Sequence, residues 1–171
     1  MRGATQLLLA VALVVGILVF VGGRPAGLTA ATELTSLEHP DVAWIDPAAL
    51  ARALRSGAPP LLVDVRSEAE YAVSHLPGAR RLEPGALLPA DLLSLPRSTP
   101  VVVYSAVAYR SALAAEALQQ AGFTAVRNLD GGIFRWANRN MPLESAGGLA
   151  SRVHSYGLPW KVLLREDRRA R

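Results

Sequence analysis

The chain reads as an α/β domain built on a parallel sheet and set behind one apolar helix at its N-terminus. Three observations predict this. Short strand segments (Leu61 to Val65, Val101 to Tyr104, Ala125 to Leu129) alternate with segments rich in helix formers, the order from which parallel sheets flanked by helices are made. The run Ala4 to Gly23 is almost wholly apolar and carries no charge. The 171 residues include no cysteine, which excludes disulfides, thiolate metal sites and a lipid anchor on a cysteine.

At the helical rise of about 1.5 Å per residue, Ala4 to Gly23 spans about 30 Å, the thickness of a bilayer core. Residues 1–24 are therefore expected to form a single transmembrane anchor; the alternative is a cleaved signal peptide, for which Thr29-Ala30-Ala31 is only a tolerable site. Arg2 and the amino terminus precede the run and only Arg24 follows it closely, so the positive-inside rule puts the domain outside the cytoplasm. Residues 25–43 show little periodicity and read as a linker.

The domain is expected over residues 44–145. Asp46 suits an N-cap and Pro47 the first helical turn, with Leu50, Ala51 and Leu54 on the apolar face. Ser56 to Pro60 ends that helix, and Leu61 to Val65 is a short buried strand. Ser67 caps a helix through Ser74, and Pro77-Gly78 makes a turn. Pro84 to Pro96, with five leucines, reads as one or two short helical turns. Val101 to Tyr104 is the central strand, Arg110 to Ala121 the helix behind it, Ala125 to Leu129 a further strand, and Ile133 to Asn140 a closing helix. Ser145 to Gly148 breaks the pattern, leaving residues 146–171 as a basic tail that either packs on the domain, touches anionic lipid or is solvated. The net charge is +4, and in the tail Lys161, Arg165, Arg168, Arg169 and Arg171 stand against Glu166 and Asp167 for a local +3. The remainder is near neutral, so no nucleic-acid footprint is expected.

The order and spacing of three segments resemble the rhodanese-like family of sulfurtransferase domains. The first is Leu61-Leu62-Val63-Asp64-Val65-Arg66 with Glu70-Tyr71 and His75-Leu76-Pro77-Gly78-Ala79. The second is the loop after Val101 to Tyr104. The third is Gly122-Phe123, Val126 and Leu129-Asp130-Gly131-Gly132-Ile133 with Trp136. The resemblance covers roughly Trp44 to Glu144. It implies a loop Ser105-Ala106-Val107-Ala108-Tyr109-Arg110-Ser111 in which the first position is a cysteine that carries a persulfide, held by inward amides and a closing arginine. Here Ser105 stands at the cysteine position, Arg110 matches the arginine, and Ala108 stands where many relatives have glycine.

Sulfur transfer needs a thiolate that attacks a sulfane sulfur and then holds it, and a thiol near pKa 8.5 can be brought to that form by a helix N-terminus. An alcohol is far less acidic and its oxygen is not a usable sulfur carrier, so Ser105 is not expected to run this chemistry. A hydrolytic Ser105 would need a positioned base. The imidazoles are His39, His75 and His154; the resemblance makes His75 structural and places the other two outside the matched core. Arg110 either clamps an oxyanion together with the loop amides or pairs with a local carboxylate or carbonyl. Ala108 weakens the anion reading, because a position needing positive φ favours glycine. Asp64 and Arg66 are expected to support the loop edge. Gly131-Gly132 is too short for a dinucleotide fingerprint, and Asp, Glu and His lack ligand spacing, so neither a cofactor nor a metal is expected. Trp44 and Trp136 read as core aromatics.

The expected protein is thus a membrane-anchored, catalytically inactive rhodanese-like domain. It would serve as a binding or regulatory module for a protein partner or a small oxyanion. The alternative is a sulfurtransferase-related or Ser105-dependent hydrolytic enzyme.

Overall fold

A computed structural model describes residues 23–157 and 160–170. The apolar run Ala4 to Gly23 lies, apart from its last residue, outside the described residues; among the latter no helix is long and apolar enough to cross a membrane.

Helix α1 covers residues 23–38 and corrects the expectation of a linker over 25–43. Leu28, Ala31 and Thr35 are 2 %, 4 % and 5 % exposed, at the three- and four-residue spacing of one helix face. The stripe was hard to read because its last member is polar. Thr35 satisfies its hydroxyl internally, donating to the Ala31 carbonyl at 2.8 Å. Thr32 donates to Asp130 at 2.8 Å, which ties α1 to the far end of the domain sequence.

The sheet follows. Strands β1 (Ala43–Ile45), β2 (Leu61–Asp64), β3 (Arg80–Arg81), β4 (Val101–Tyr104) and β5 (Val126–Leu129) stand in the order β1-β5-β4-β2-β3, every pairing parallel. Strands β1 and β3 are edge additions that the sequence reading lacked; at three and two residues neither shows a periodicity of its own. Trp44, on edge strand β1, is only half-buried, which corrects its reading as a core aromatic.

Helices α2 (Pro47–Leu54), α3 (Glu68–Val73), α4 (Ala90–Leu93), α5 (Tyr109–Gln120) and α6 (Gly132–Asn138) fill the connections. Asp46 caps α2 as expected, accepting from the amides of Ala48 and Ala49. Of Pro84 to Pro96 only the four residues of α4 are helical. Period-two alternation along β4 divides the core. Val102 and Tyr104 pack with Leu28, Leu50, Ile133 and Trp136 on one face, and Val101 and Val103 with Ala115, Leu118 and Phe123 on the other. Each buried aliphatic side chain of this kind contributes about 1.5–3 kcal/mol.

The domain does not end at residue 145. Strands β6 (Leu143–Ser145) and β7 (Gly148–Ala150) form an antiparallel hairpin, so the pattern break at Ser145 to Gly148 is its turn. Beyond it Val153, Leu163 and Leu164 are fully buried, and the tail is part of the core rather than a solvated extension.

Candidate active site

Strand β4 runs buried along its whole length and delivers Ser105 to the C-terminal edge of the sheet, where open parallel sheets bind ligands. Ser105, Ala106, Val107 and Ala108 are all buried. The Ser105 hydroxyl accepts from the Ala108 amide at 3.2 Å and lies 3.3 Å from the Ser111 hydroxyl. Ser111 also reaches the Ala108 carbonyl at 2.9 Å. The exit of the central strand is therefore filled by an alcohol tied into its own loop.

Ala108 is left-handed, with φ +90°, at the N-cap of α5. That costs a non-glycine residue about 1–2 kcal/mol, and the surroundings hold it there. Its carbonyl accepts from the Ser111 hydroxyl, from Asn128 Nδ2 on β5 at 2.9 Å and from the Ala112 amide at 3.0 Å. The expectation that this position needs positive φ is met, by alanine rather than glycine. The other side of the loop is held by α6. Its Ile133 and Phe134 amides donate to the carbonyls of Ser105 and Ala106 at 2.9 and 3.1 Å. Gly132 makes that approach possible, since a Cβ there would collide with the same two carbonyls and its φ is +55°. Gly131-Gly132 thus does more than start a helix.

Arg110 reaches Glu70 of α3. Its Nη1 and Nη2 donate to the two carboxylate oxygens at 2.9 and 2.7 Å. Glu70 closes the capping box of α3 as well, accepting from the Ser67 amide and hydroxyl at 3.0 and 2.9 Å. Burial raises the Glu70 carboxyl, but the hydrogen bonds and charge of Arg110, with those of Ser67, outweigh it and hold the group at about 2. The outer face of the guanidinium is covered by the ring of Tyr156, 4.7 Å away. Of the two readings of Arg110, this is the carboxylate pair.

Asp64 and Arg66 pair with each other at the end of β2. Arg66 Nε and Nη2 reach the Asp64 carboxylate at 2.9 and 2.6 Å, and Nη2 also donates to the Ser74 carbonyl at 2.6 Å. Both residues are fully buried. Asp64 sits opposite Tyr104 in the β2–β4 register. The pair therefore braces the strand that presents Ser105 and forms no hydrogen bond with the loop itself. Burial drives the Tyr104 phenol well above its ordinary range, and its oxygen accepts from the Leu76 amide at 3.1 Å.

No imidazole among the described residues hydrogen-bonds Ser105. His75 is stacked on Tyr71 with 3.8 Å between ring centroids and lies 3.5 Å from Glu144. His39, from the turn after α1, pairs with Glu116 of α5 at 2.7 Å. His154 accepts from the Tyr156 amide at 3.2 Å. Glu70, Asn128, Gly132 and Tyr156 belong to the site although the sequence did not mark them as candidates for it. Two had a signal: Ser67-x-x-Glu70 is a capping-box pattern, and Asn128 is a polar residue set between the apolar ends of its strand beside Arg127. Nothing local marks Tyr156.

The rhodanese-like domain model matches residues 46–139, more than half of the chain. The chain belongs to the rhodanese-like domain family. It is 36 % identical over 104 residues to a sulfurtransferase of Allochromatium vinosum, covering 61 % of this chain and 96 % of that one. A probable adenylyltransferase/sulfurtransferase of Mycobacterium tuberculosis is 37 % identical over 100 residues, but those are 57 % of this chain and a quarter of that longer protein. Among solved structures, thiosulfate sulfurtransferase from Pseudomonas aeruginosa is similar at a TM-score of 0.55 and 30 % identity, over 61 % of this chain and 20 % of that one. The rhodanese-like domain from an Anabaena species is similar at 0.51 and 30 %, over 60 % and 78 %. Helix α1, strands β1, β6 and β7 and the tail lie outside residues 46–139. This rhodanese-like domain has sulfurtransferase relatives and no thiol of its own.

Proposed function

We propose that this rhodanese-like domain does not transfer sulfur and works as a binding or regulatory module. It is held at a membrane by the run Ala4 to Gly23 with the domain on the extracytoplasmic side. The observation that carries the reading is Ser105 at the end of β4, a buried alcohol bonded within its own loop. Attack on the outer sulfur of thiosulfate, with sulfite leaving, requires an anionic nucleophile whose sulfur product can be handed on. An alcohol of pKa far above that of a thiol, with no base bonded to it, supplies neither. The same missing base weighs against hydrolysis. Between the two partner classes, the bidentate Arg110–Glu70 pair favours a protein over a small oxyanion, because an anion would compete with a buried carboxylate for the guanidinium.

The test is sulfur transfer from thiosulfate to cyanide by the full chain in detergent. The natural protein should show none above background, and Ser105→Cys should show measurable turnover with a thiol pKa below the ordinary value. Turnover by the natural protein would refute the proposal. Protease added to intact spheroplasts should remove the domain while leaving the N-terminal fragment in the membrane fraction. A soluble form beginning near Ala31 would refute the anchor, and protection of the domain would refute the orientation.

A further inference from the structure

We infer that the C-terminal tail and the Arg24 end of α1 form one surface that rests on anionic lipid headgroups. The inference builds on the anchored reading above. It adds a second contact with the same bilayer, made by the other end of the chain.

The placement comes from the fold. Arg24 is the first charged residue after the uncharged run Ala4 to Gly23. Some 140 residues later the tail comes back to it, with Glu166 Oε1 3.9 Å from Arg24 Nη2. The tail is pinned in that position. Leu163 and Leu164 are buried, and Asn138 donates to the Leu163 carbonyl at 2.8 Å and accepts from the Arg165 amide at 2.9 Å. Val153 is bridged to the strand around Arg169, its amide donating to the Arg168 carbonyl at 2.7 Å. Two short 3-10 turns, Trp160–Leu163 and Glu166–Arg168, are thereby set against the start of α1.

Charge and residue type then name the occupant. Arg24, Lys161, Arg165, Arg168 and Arg169 gather around only two acids. Glu166 is shared by Arg24 and Arg169 at 3.9 and 3.8 Å, and Asp167 by Arg165 and Arg168 at 2.8 and 3.7 Å. Five cations against two carboxylates leave +3 on this face, and the Lys161 side chain makes no hydrogen bond or ion pair with the described residues, its amide alone donating to the Gly157 carbonyl at 2.8 Å. Trp160, half-buried beside it, is a residue type enriched at the membrane–water boundary. With residues 4–23 in the bilayer, Arg24 lies at headgroup level. Arg169, which shares Glu166 with Arg24, is then carried toward the same level, and an anionic surface is felt over a Debye length of about 8 Å at physiological salt. Neither a nucleic acid nor an acidic soluble protein would account for the cluster forming at the point where the apolar run ends.

The experiment uses the full chain in nanodiscs of phosphatidylcholine alone and of phosphatidylcholine with phosphatidylglycerol, read by hydrogen exchange of residues 160–170. The amides should exchange several-fold more slowly in the anionic discs, roughly fivefold for each net charge engaged. High salt should erase the difference, and Lys161→Glu, which lowers the face from +3 to +1, should shrink it. Equal exchange in the two disc types, with the chain incorporated in both, would overturn the inference and leave the anchor standing. A chain that enters neither disc would overturn the anchored reading and this one with it. Equal protection by soluble polyglutamate without discs would assign the face to an acidic protein and overturn the lipid assignment.

Discussion

Replacing Glu70 by glutamine tests how the loop is closed. The substitution keeps an oxygen acceptor for the Ser67 amide but removes the charge that Arg110 faces through two hydrogen bonds of 2.9 and 2.7 Å. The carboxyl stands at about 2 against an ordinary 4.5. At about 1.4 kcal/mol for each factor of ten, that gap corresponds to roughly 3.5 kcal/mol. Arg110 is a quarter exposed, and screening by water at that edge reduces the figure to about 2 kcal/mol. Because the folded pKa lies below the unfolded one, this stability is fully present above about pH 4.5 and is lost as the pH falls toward 2. Urea unfolding of the full chain in mild detergent should thus find Glu70→Gln less stable by about 2 kcal/mol at neutral pH. The gap between the two proteins should be constant down to about pH 5 and close below it. A gap under about 0.5 kcal/mol, or one that does not change with pH, would refute the reasoning and make Arg110 a solvated cation.

Three further outcomes are expected from the loop and its supports. Ala108→Gly relieves a left-handed alanine at φ +90° but loosens the unfolded chain, so the net gain should be about 0.5 kcal/mol, seen as a rise of a few degrees in Tm. Gly132→Ala drives a methyl group into the Ser105 and Ala106 carbonyls at a positive φ and should cost about 3 kcal/mol in the same unfolding assay. Arg66→Met leaves the fully buried Asp64 carboxylate without its partner and should cost about 3–5 kcal/mol. Adding Asp64→Asn to that variant should recover part of the loss, and a double variant no better than the single one would show that the pair's charge is not what matters.

What was readable in the chain and what was not divide along one physical line. Strands β2 and β4, the caps at Asp46 and Ser67, and the loop beginning at Ser105 rest on local signals, namely short apolar runs and side chains that bond their neighbours' amides, while β5 follows from its place in the alternation of strands and helices. Helix α1 escaped because its buried face ends in Thr35 and contains a single large apolar residue, Leu28. The tail escaped because the burial of Val153, Leu163 and Leu164 depends on a core cluster that includes Phe134, Trp136 and Ala137 of α6, residues distant in sequence. The Arg110–Glu70 pair joins residues forty apart; each was visible as part of a motif, yet nothing local told which carboxylate would meet the guanidinium. Asn128 could be noticed as an oddity in β5 but its target, the Ala108 carbonyl, is set by the sheet order.

The loop after β4 is gripped almost wholly through main-chain atoms. Ala108 offers its carbonyl to three donors, and the Ser105 and Ala106 carbonyls meet the first amides of α6. The Ser105 side chain itself receives only the Ala108 amide and the Ser111 hydroxyl, at 3.2 and 3.3 Å. Chemical capacity and architecture are consequently written in different atoms here: a thiol in place of the Ser105 hydroxyl would leave the main-chain bonds of the scaffold intact, so residue 105 can change its chemistry without the fold registering it.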